Sequence, residues 1–148
     1  MGEVSLYSVT EVTATAPTGP ASQPAPVSVN FSDPSLFDWL LTATTEDVDA
    51  LPFGVVSMAL DGTVERYNTT ESKLAGLTPR RVLGRSYFSA VAPCMNNFMV
   101  AHRYQMEPDI DATIDYVLTL RMSPTKVRLR LLKRSNVRQM HLMIERHV

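Results

Sequence analysis

The last third of the chain alternates apolar and polar residues with a period of two, and that pattern commits it to sheet. In ATIDYVLTLRM, Ile114, Tyr116, Leu118, Leu120 and Met122 fall on one side, with Thr113, Asp115, Val117, Thr119 and Arg121 on the other. Ser123-Pro124 turns the chain. In TKVRLRLLKR, Val127, Leu129 and Leu131 then oppose Lys126, Arg128 and Arg130, and QMHLMIERHV alternates again through Met140, Leu142 and Ile144. A half-apolar sheet must be covered on its apolar face, and the upstream sequence offers the cover.

From Leu51 the run LPFGVVSMAL, the pair Asp61-Gly62 and the run TVERYN read as a hairpin, because Asp-Gly tolerates the positive φ angles of a two-residue turn. Short helical pieces follow. One opens at Asn68-Thr69-Thr70-Glu71; another opens at Thr78-Pro79 and runs through Val82 and Leu83 to stop at Gly84. A longer amphipathic piece is predicted over Asn97 to Met106. The order of strands, short helices and strands predicts an α+β domain: one antiparallel sheet of about five strands, with helices crossing one face.

Residues 1–30 contain TATAPTGPASQPAPVSVN, a Pro, Ala, Ser and Thr mixture without a periodic apolar face, and read as a disordered tail. Residues 31–50 read as a small helical cap. It begins at Ser32-Asp33-Pro34, carries Leu36, Phe37, Trp39, Leu40 and Leu41, and has a second helix start at Thr44-Thr45-Glu46-Asp47. Residues 51–148 then form the main domain.

Charge sharpens this division. The net charge is only −1, yet residues 1–50 hold seven acids (Glu3, Glu11, Asp33, Asp38, Glu46, Asp47, Asp49) and no Lys or Arg. Residues 121–148 hold Arg121, Lys126, Arg128, Arg130, Lys133, Arg134, Arg138 and Arg146 against the single acid Glu145. Two complementary ends of one small chain attract each other more simply than either recruits nucleic acid, so the cap is expected to dock over the basic strands and to loosen with salt. The alternating basic residues read as a solvated sheet face. A single cysteine in 148 residues rules out an internal disulfide framework and fits a reducing cytoplasm. No apolar run reaches the roughly 20 residues of a membrane span, and the start lacks a secretory leader. The eight methionines fall mostly on apolar positions, and no His, Cys and carboxylate cluster has metal-ligand spacing.

Three residues invite chemistry. Cys94 follows Pro93 in VAPC and precedes the predicted Asn97 helix, and a helix start favours an anionic nucleophile. Taken alone, a lone cysteine is more often a small core residue. Glu71 fits a capping pattern, and Tyr67 is an ordinary strand-end aromatic.

Their combination is more specific. The strings LPFG with its DG turn, YNTTE, GLTPRRVLG, SYFSAVAPC and MSPTKV resemble, in order, the photoactive yellow protein family of PAS-fold blue-light receptors. The resemblance runs from Leu51 onward; the tail and cap match in character only. It implies that Cys94 carries a p-coumaroyl (4-hydroxycinnamoyl) group as a thioester, with the buried phenolate accepting hydrogen bonds from Tyr67 and a protonated Glu71. It implies a pocket lined by Val56, Ala75, Leu77, Tyr87, Val91, Ala92, Pro93, Met95, Leu118, Leu120 and Met122. It further implies trans–cis isomerisation on illumination, proton transfer from Glu71 and partial release of the cap. Ala75, Leu77 and Leu120 depart from the family's usual threonine, arginine and aromatic, whereas Met122 matches.

The resemblance implies no enzymatic turnover. Output is expected to pass to a separate signalling partner, since no kinase, cyclase or DNA-binding segment follows Val148, and the chain is expected to be a monomer or weak dimer, with no nucleic acid or membrane as partner. The competing class is a chromophore-free PAS module that binds a ligand or protein. A cysteine enzyme using His102, His141 or His147 as base ranks last, since nothing marks an orienting carboxylate or oxyanion site.

Overall fold

A computed structural model of the protein describes residues 29–119 and 123–146. Most of the expected tail, together with Leu120, Met122 and His147, lies outside the described residues. Strands β1 (Gly54–Ala59) and β2 (Val64–Tyr67) form the hairpin, and β3 (Ile110–Leu118), β4 (Thr125–Lys133) and β5 (Gln139–Arg146) complete one antiparallel sheet in the order β2-β1-β5-β4-β3. Gly62 sits at φ 90°, a conformation the hairpin turn requires and glycine adopts without strain. The fold is α+β of the PAS type.

Helices α1 (Leu36–Thr42) and α2 (Thr45–Asp49) make the cap. The first begins at Leu36 rather than at Pro34, because the Asp33 carboxylate holds the backbone and hydroxyl of Ser35 in a turn. The second starts on a capping box between Thr44 and Asp47. Helices α3 (Thr69–Ala75) and α4 (Pro79–Val82) begin after Asn68 and Thr78. The helix expected over Asn97 to Met106 is shorter: α5 spans Ala101–Met106, because the Asn97 side chain accepts from the Met99 and Val100 amides and holds a turn there. Between α4 and α5 the chain makes a π-helical turn, Tyr87–Val91, and a 3-10 turn, Pro93–Met95. Cys94 therefore lies inside a 3-10 turn, away from the start of α5.

The sheet is covered on both faces. Val56, Met58, Val127, Leu129, Leu131, Met140, Leu142 and Ile144 pack with Tyr87, Met95 and Tyr104 under the helical side. On the opposite face Val55, Leu132 and Met143 pack with Phe31, Leu36, Phe37, Leu40 and Val48 of the cap. The arginines of β4 are accordingly not a solvated face. Arg130 is 4% exposed; it donates to the carbonyls of Phe31 and Asp33 and to both oxygens of Asp111. Arg128 lies over the Phe31 ring at 5.1 Å and Arg134 over Phe37 at 4.1 Å. Among the described residues one cap acid, Asp38, pairs with a basic side chain, that of Arg134. Asp47 closes its own helix, Asp49 accepts from the Thr69 amide, and Lys126 is exposed. The cap is thus gripped through apolar burial, carbonyls and aromatic faces, and the salt sensitivity expected from counting charges reduces to one exposed pair.

Under the cap, His141 is buried with Nδ1 2.7 Å from the Ser57 hydroxyl, its ring edge against Phe37 at 5.3 Å, and Nε2 without a partner. Burial, helped by the nearby Arg66 charge, lowers its pKa to about 4. In the unfolded chain the ring takes a proton near its ordinary value of about 6.5, while the folded ring resists until about pH 4, so the unfolded state binds more protons in that window. This group costs no stability above about pH 6.5 and removes about 3 kcal/mol as pH falls to about 4. Urea midpoints measured across that window should fall less steeply for His141→Gln than for the wild type; parallel profiles would contradict the assignment.

Candidate functional site

Glu71 reaches its position through α3. Asn68, fully buried, caps the helix by accepting from the Glu71 amide at 3.0 Å, so the Glu71 side chain leaves the first helical turn toward β1. There the chain supplies Gly54. A Cβ on that residue would overlap the Glu71 carboxyl and lie 3.0 Å from its Cδ, so only glycine leaves room for the carboxyl against the strand. Register completes the site: β1 and β5 pair Gly54 with Ile144, which brings Arg146, on the same face of β5, beside Glu71.

The resulting contact is a buried fork. Arg146 Nη1 donates to Glu71 Oε1 at 2.6 Å and Nη2 donates to Oε2 at 3.1 Å. Their side chains are 12% and 0% exposed. Burial pushes the Glu71 carboxyl above its usual range, and the Arg146 guanidinium opposes that rise without cancelling it. The Tyr67 hydroxyl is also pushed upward, by burial first and by the Glu71 charge second. It stays protonated, as a hydrogen-bond donor must.

Cys94 comes from the 3-10 turn Pro93–Met95. It is half-buried and packs against the helical-side core, which also contains Tyr67, Tyr87, Ala92 and Met95. Its carbonyl accepts from the Tyr116 hydroxyl at 2.6 Å, which anchors the 3-10 turn to β3. Tyr87 shows the convergence. This fully buried phenol is pushed well above its usual range by desolvation, then by Glu71, Tyr67 and Cys94, all within electrostatic reach of it.

Of the residues expected to line a pocket, Val56, Ala75, Tyr87, Ala92, Met95 and Leu118 are buried, Leu77 and Val91 are half-buried, and Pro93 is exposed. His102 is exposed and stacks edge-on against Phe98, and His141 lies on the cap face; neither hydrogen-bonds the thiol. Sequence reasoning gave Arg146, Gly54 and Tyr116 no place in the site, and saw in Asn68 a helix start without its bonds to Val48, Phe53 and Val55. For Gly54 the glycine at a strand start was a usable signal. For Arg146 nothing local marked it among eight basic residues.

No family model matches the chain. The photoactive yellow protein of Rhodothalassium salexigens is 33% identical over 85 residues, 55% of this chain and 68% of that protein. The crystal structure of the photoactive yellow protein domain from the sensor histidine kinase Ppr of Rhodospirillum centenum is 32% identical, with a TM-score of 0.67 over 73% of this chain and 97% of that one. The chain belongs to the photoactive yellow protein family. A second family member, from Halochromatium salexigens, is 28% identical over 108 residues, 71% of this chain and 86% of that protein. At 16% identity a PAS domain of an HTR-like protein from Haloarcula marismortui shares the fold, with a TM-score of 0.57 over 76% of this chain and 99% of that one. Photoactive yellow proteins and PAS sensor domains are signalling modules rather than enzymes, and no helix among the described residues is long and apolar enough to cross a membrane.

The donor set fits the group that the family implies. A half-buried thiol, a neutral phenol and a buried carboxyl are gathered around one apolar cluster, and the departure is the guanidinium already seated on that carboxyl.

Proposed function

We propose that this chain is a blue-light photoreceptor in which Cys94 holds a p-coumaroyl group as a thioester. The carrying observation is that Cys94 packs against the core cluster that holds Tyr67 and Tyr87, with Cys94 and the buried Glu71 carboxyl both within electrostatic reach of Tyr87. Loading is an acyl transfer: the Cys94 sulfur gives up its proton and bonds to the acyl carbon, and the activating group departs with the electron pair of the bond it loses and takes up a proton. Tyr67 and protonated Glu71 donate to the phenolate, since an anion in a low-dielectric pocket needs strong donors. When bound, the group supplies absorption of blue light and a trans–cis isomerisation.

The protein's part is to turn that event into a change at the cap. Loss of the Glu71 proton leaves a buried carboxylate on the first turn of α3. That turn is bonded to the cap and the segment after it: Asn68 donates to the carbonyls of Val48 and Phe53, Thr69 to the Asp49 carboxylate, and Thr70 to the Leu51 carbonyl. A shift of α3 therefore pulls on residues 48–53 directly. The signal would pass to a separate protein that recognises the released cap face, with the receptor a cytoplasmic monomer or weak dimer.

Incubation with activated p-coumaric acid should add one acyl mass and a visible band that bleaches reversibly in blue light; Cys94→Ala should abolish both, and Tyr67→Phe should move the band while keeping the mass. A wild type that gains neither mass nor band would favour the second reading, a chromophore-free PAS binding module. That reading draws on the occupation of both Glu71 oxygens by Arg146.

A further inference from the structure

A protonated Glu71 serving as a donor and a Glu71 clasped by a guanidinium are different chemical states. In the structure both carboxyl oxygens accept from the one guanidinium, the two-point geometry of a carboxylate with arginine. We propose that Arg146 is the resident counter-ion of Glu71, and that their pairing keeps the cap docked whenever Glu71 is charged. Tyr67 and Tyr87, whose hydroxyls the Glu71 charge pushes upward, are phenols that burial keeps neutral, so among the described residues the Arg146 guanidinium is the one positive charge acting on Glu71.

Position gives the pair its leverage. Arg146 ends β5, whose neighbour β4 carries the Arg130 grip on Phe31 and Asp33, while Glu71 sits on the helix turn that holds Val48, Asp49 and Leu51. The ion pair thus ties together the two parts of the domain to which the cap is fastened. An unpaired carboxylate at Glu71 would be an uncompensated buried charge pushing α3 toward water. A paired one is not. In the photoreceptor reading, on which this consequence alone rests, Arg146 waits to receive the carboxylate left by proton transfer and so restrains cap release.

The pairing can be tested without any chromophore, because in a variant that lacks the guanidinium raising the pH ionises Glu71 as light would. Hydrogen-exchange protection of the cap amides, corrected for intrinsic rates, is measured from about pH 6 to about pH 9 in the unloaded protein. The wild type should give a flat profile. Arg146→Met should lose protection as pH rises, by up to about tenfold per pH unit, the limit for a single proton, since the folded carboxyl then resists a charge that the unfolded chain accepts freely. Adding Glu71→Gln should restore the flat profile, and Arg146→Lys, which keeps the charge, should stay flat. An Arg146→Met profile superimposed on the wild type, or a loss that Glu71→Gln does not repair, would overturn the proposal. Should Arg146→Met not fold, the double variant is expected to fold, and its failure also overturns the proposal. Failed loading with p-coumaric acid would sink the photoreceptor reading and leave these profiles untouched.

Discussion

Asn68→Ala should be the most damaging single truncation in the domain, costing about 3 to 5 kcal/mol in a urea unfolding experiment with an unchanged m-value. The side chain is fully buried and makes four hydrogen bonds: its oxygen accepts from the Val55 and Glu71 amides at 2.9 and 3.0 Å, and its nitrogen donates to the Val48 and Phe53 carbonyls at 2.9 and 3.0 Å. Alanine leaves all four backbone groups without that partner in a place water does not reach. Asn68→Ser separates the contributions, because serine still caps a helix but cannot span to the cap. It should recover about 1 kcal/mol, the usual worth of an N-cap, and no more. Full recovery with serine would mean that Asn68 acts only as a helix cap and that the α3-to-cap connection is weaker than its geometry implies.

Arg130→Met should cost about 2 to 3 kcal/mol and show it locally. Methionine keeps most of the aliphatic stem that packs under the cap but loses the donors to the Phe31 and Asp33 carbonyls, at 3.0 and 2.7 Å. Asp111, the partner on the other side of the guanidinium, is 57% exposed and rehydrates when the arginine leaves, so the loss falls mainly on the cap. Hydrogen exchange should therefore quicken around residues 31–36 while the β4 and β5 amides hold. The effect should persist at high salt, because its acceptors are carbonyls in a buried contact rather than exposed carboxylates. Arg134→Met is the contrast. Its pair with Asp38 is exposed on both sides, 38% and 66%, and should contribute little, fading with salt. Equal, salt-sensitive losses from the two variants would restore the picture of an electrostatically held cap.

The cap shows how far charge counting carries. An acidic N-terminal segment and basic C-terminal strands do meet, as their composition suggested. They meet through Phe31, Phe37 and Leu40 on an apolar face, with Arg130 turned to the Phe31 and Asp33 carbonyls, Arg128 and Arg134 over rings, and a single exposed pair, Arg134 with Asp38, joining a cap acid to a basic side chain among the described residues. A count of charges carries no information about which groups a guanidinium reaches once its stem is buried.

What the sequence determined by itself was local or repetitive. Period-two alternation placed β3, β4 and β5, the Asp61-Gly62 pair placed the hairpin, and Asn68 and Thr78 placed two helix starts, because strand faces, turns and caps are decided by residues within a few positions of one another. The strings around Tyr67, Glu71 and Cys94 were enough to bring the family into view. Tertiary structure alone decided that the second face of β4 is buried, that Asn97 shortens α5 and leaves Cys94 in a 3-10 turn, and that Arg146 meets Glu71 across 75 positions of sequence. That last contact depends on β5 inserting between β1 and β4, on the register that sets Gly54 opposite Ile144, and on the missing Cβ at Gly54. Each is a property of strand order and close approach, which no periodicity in the chain encodes.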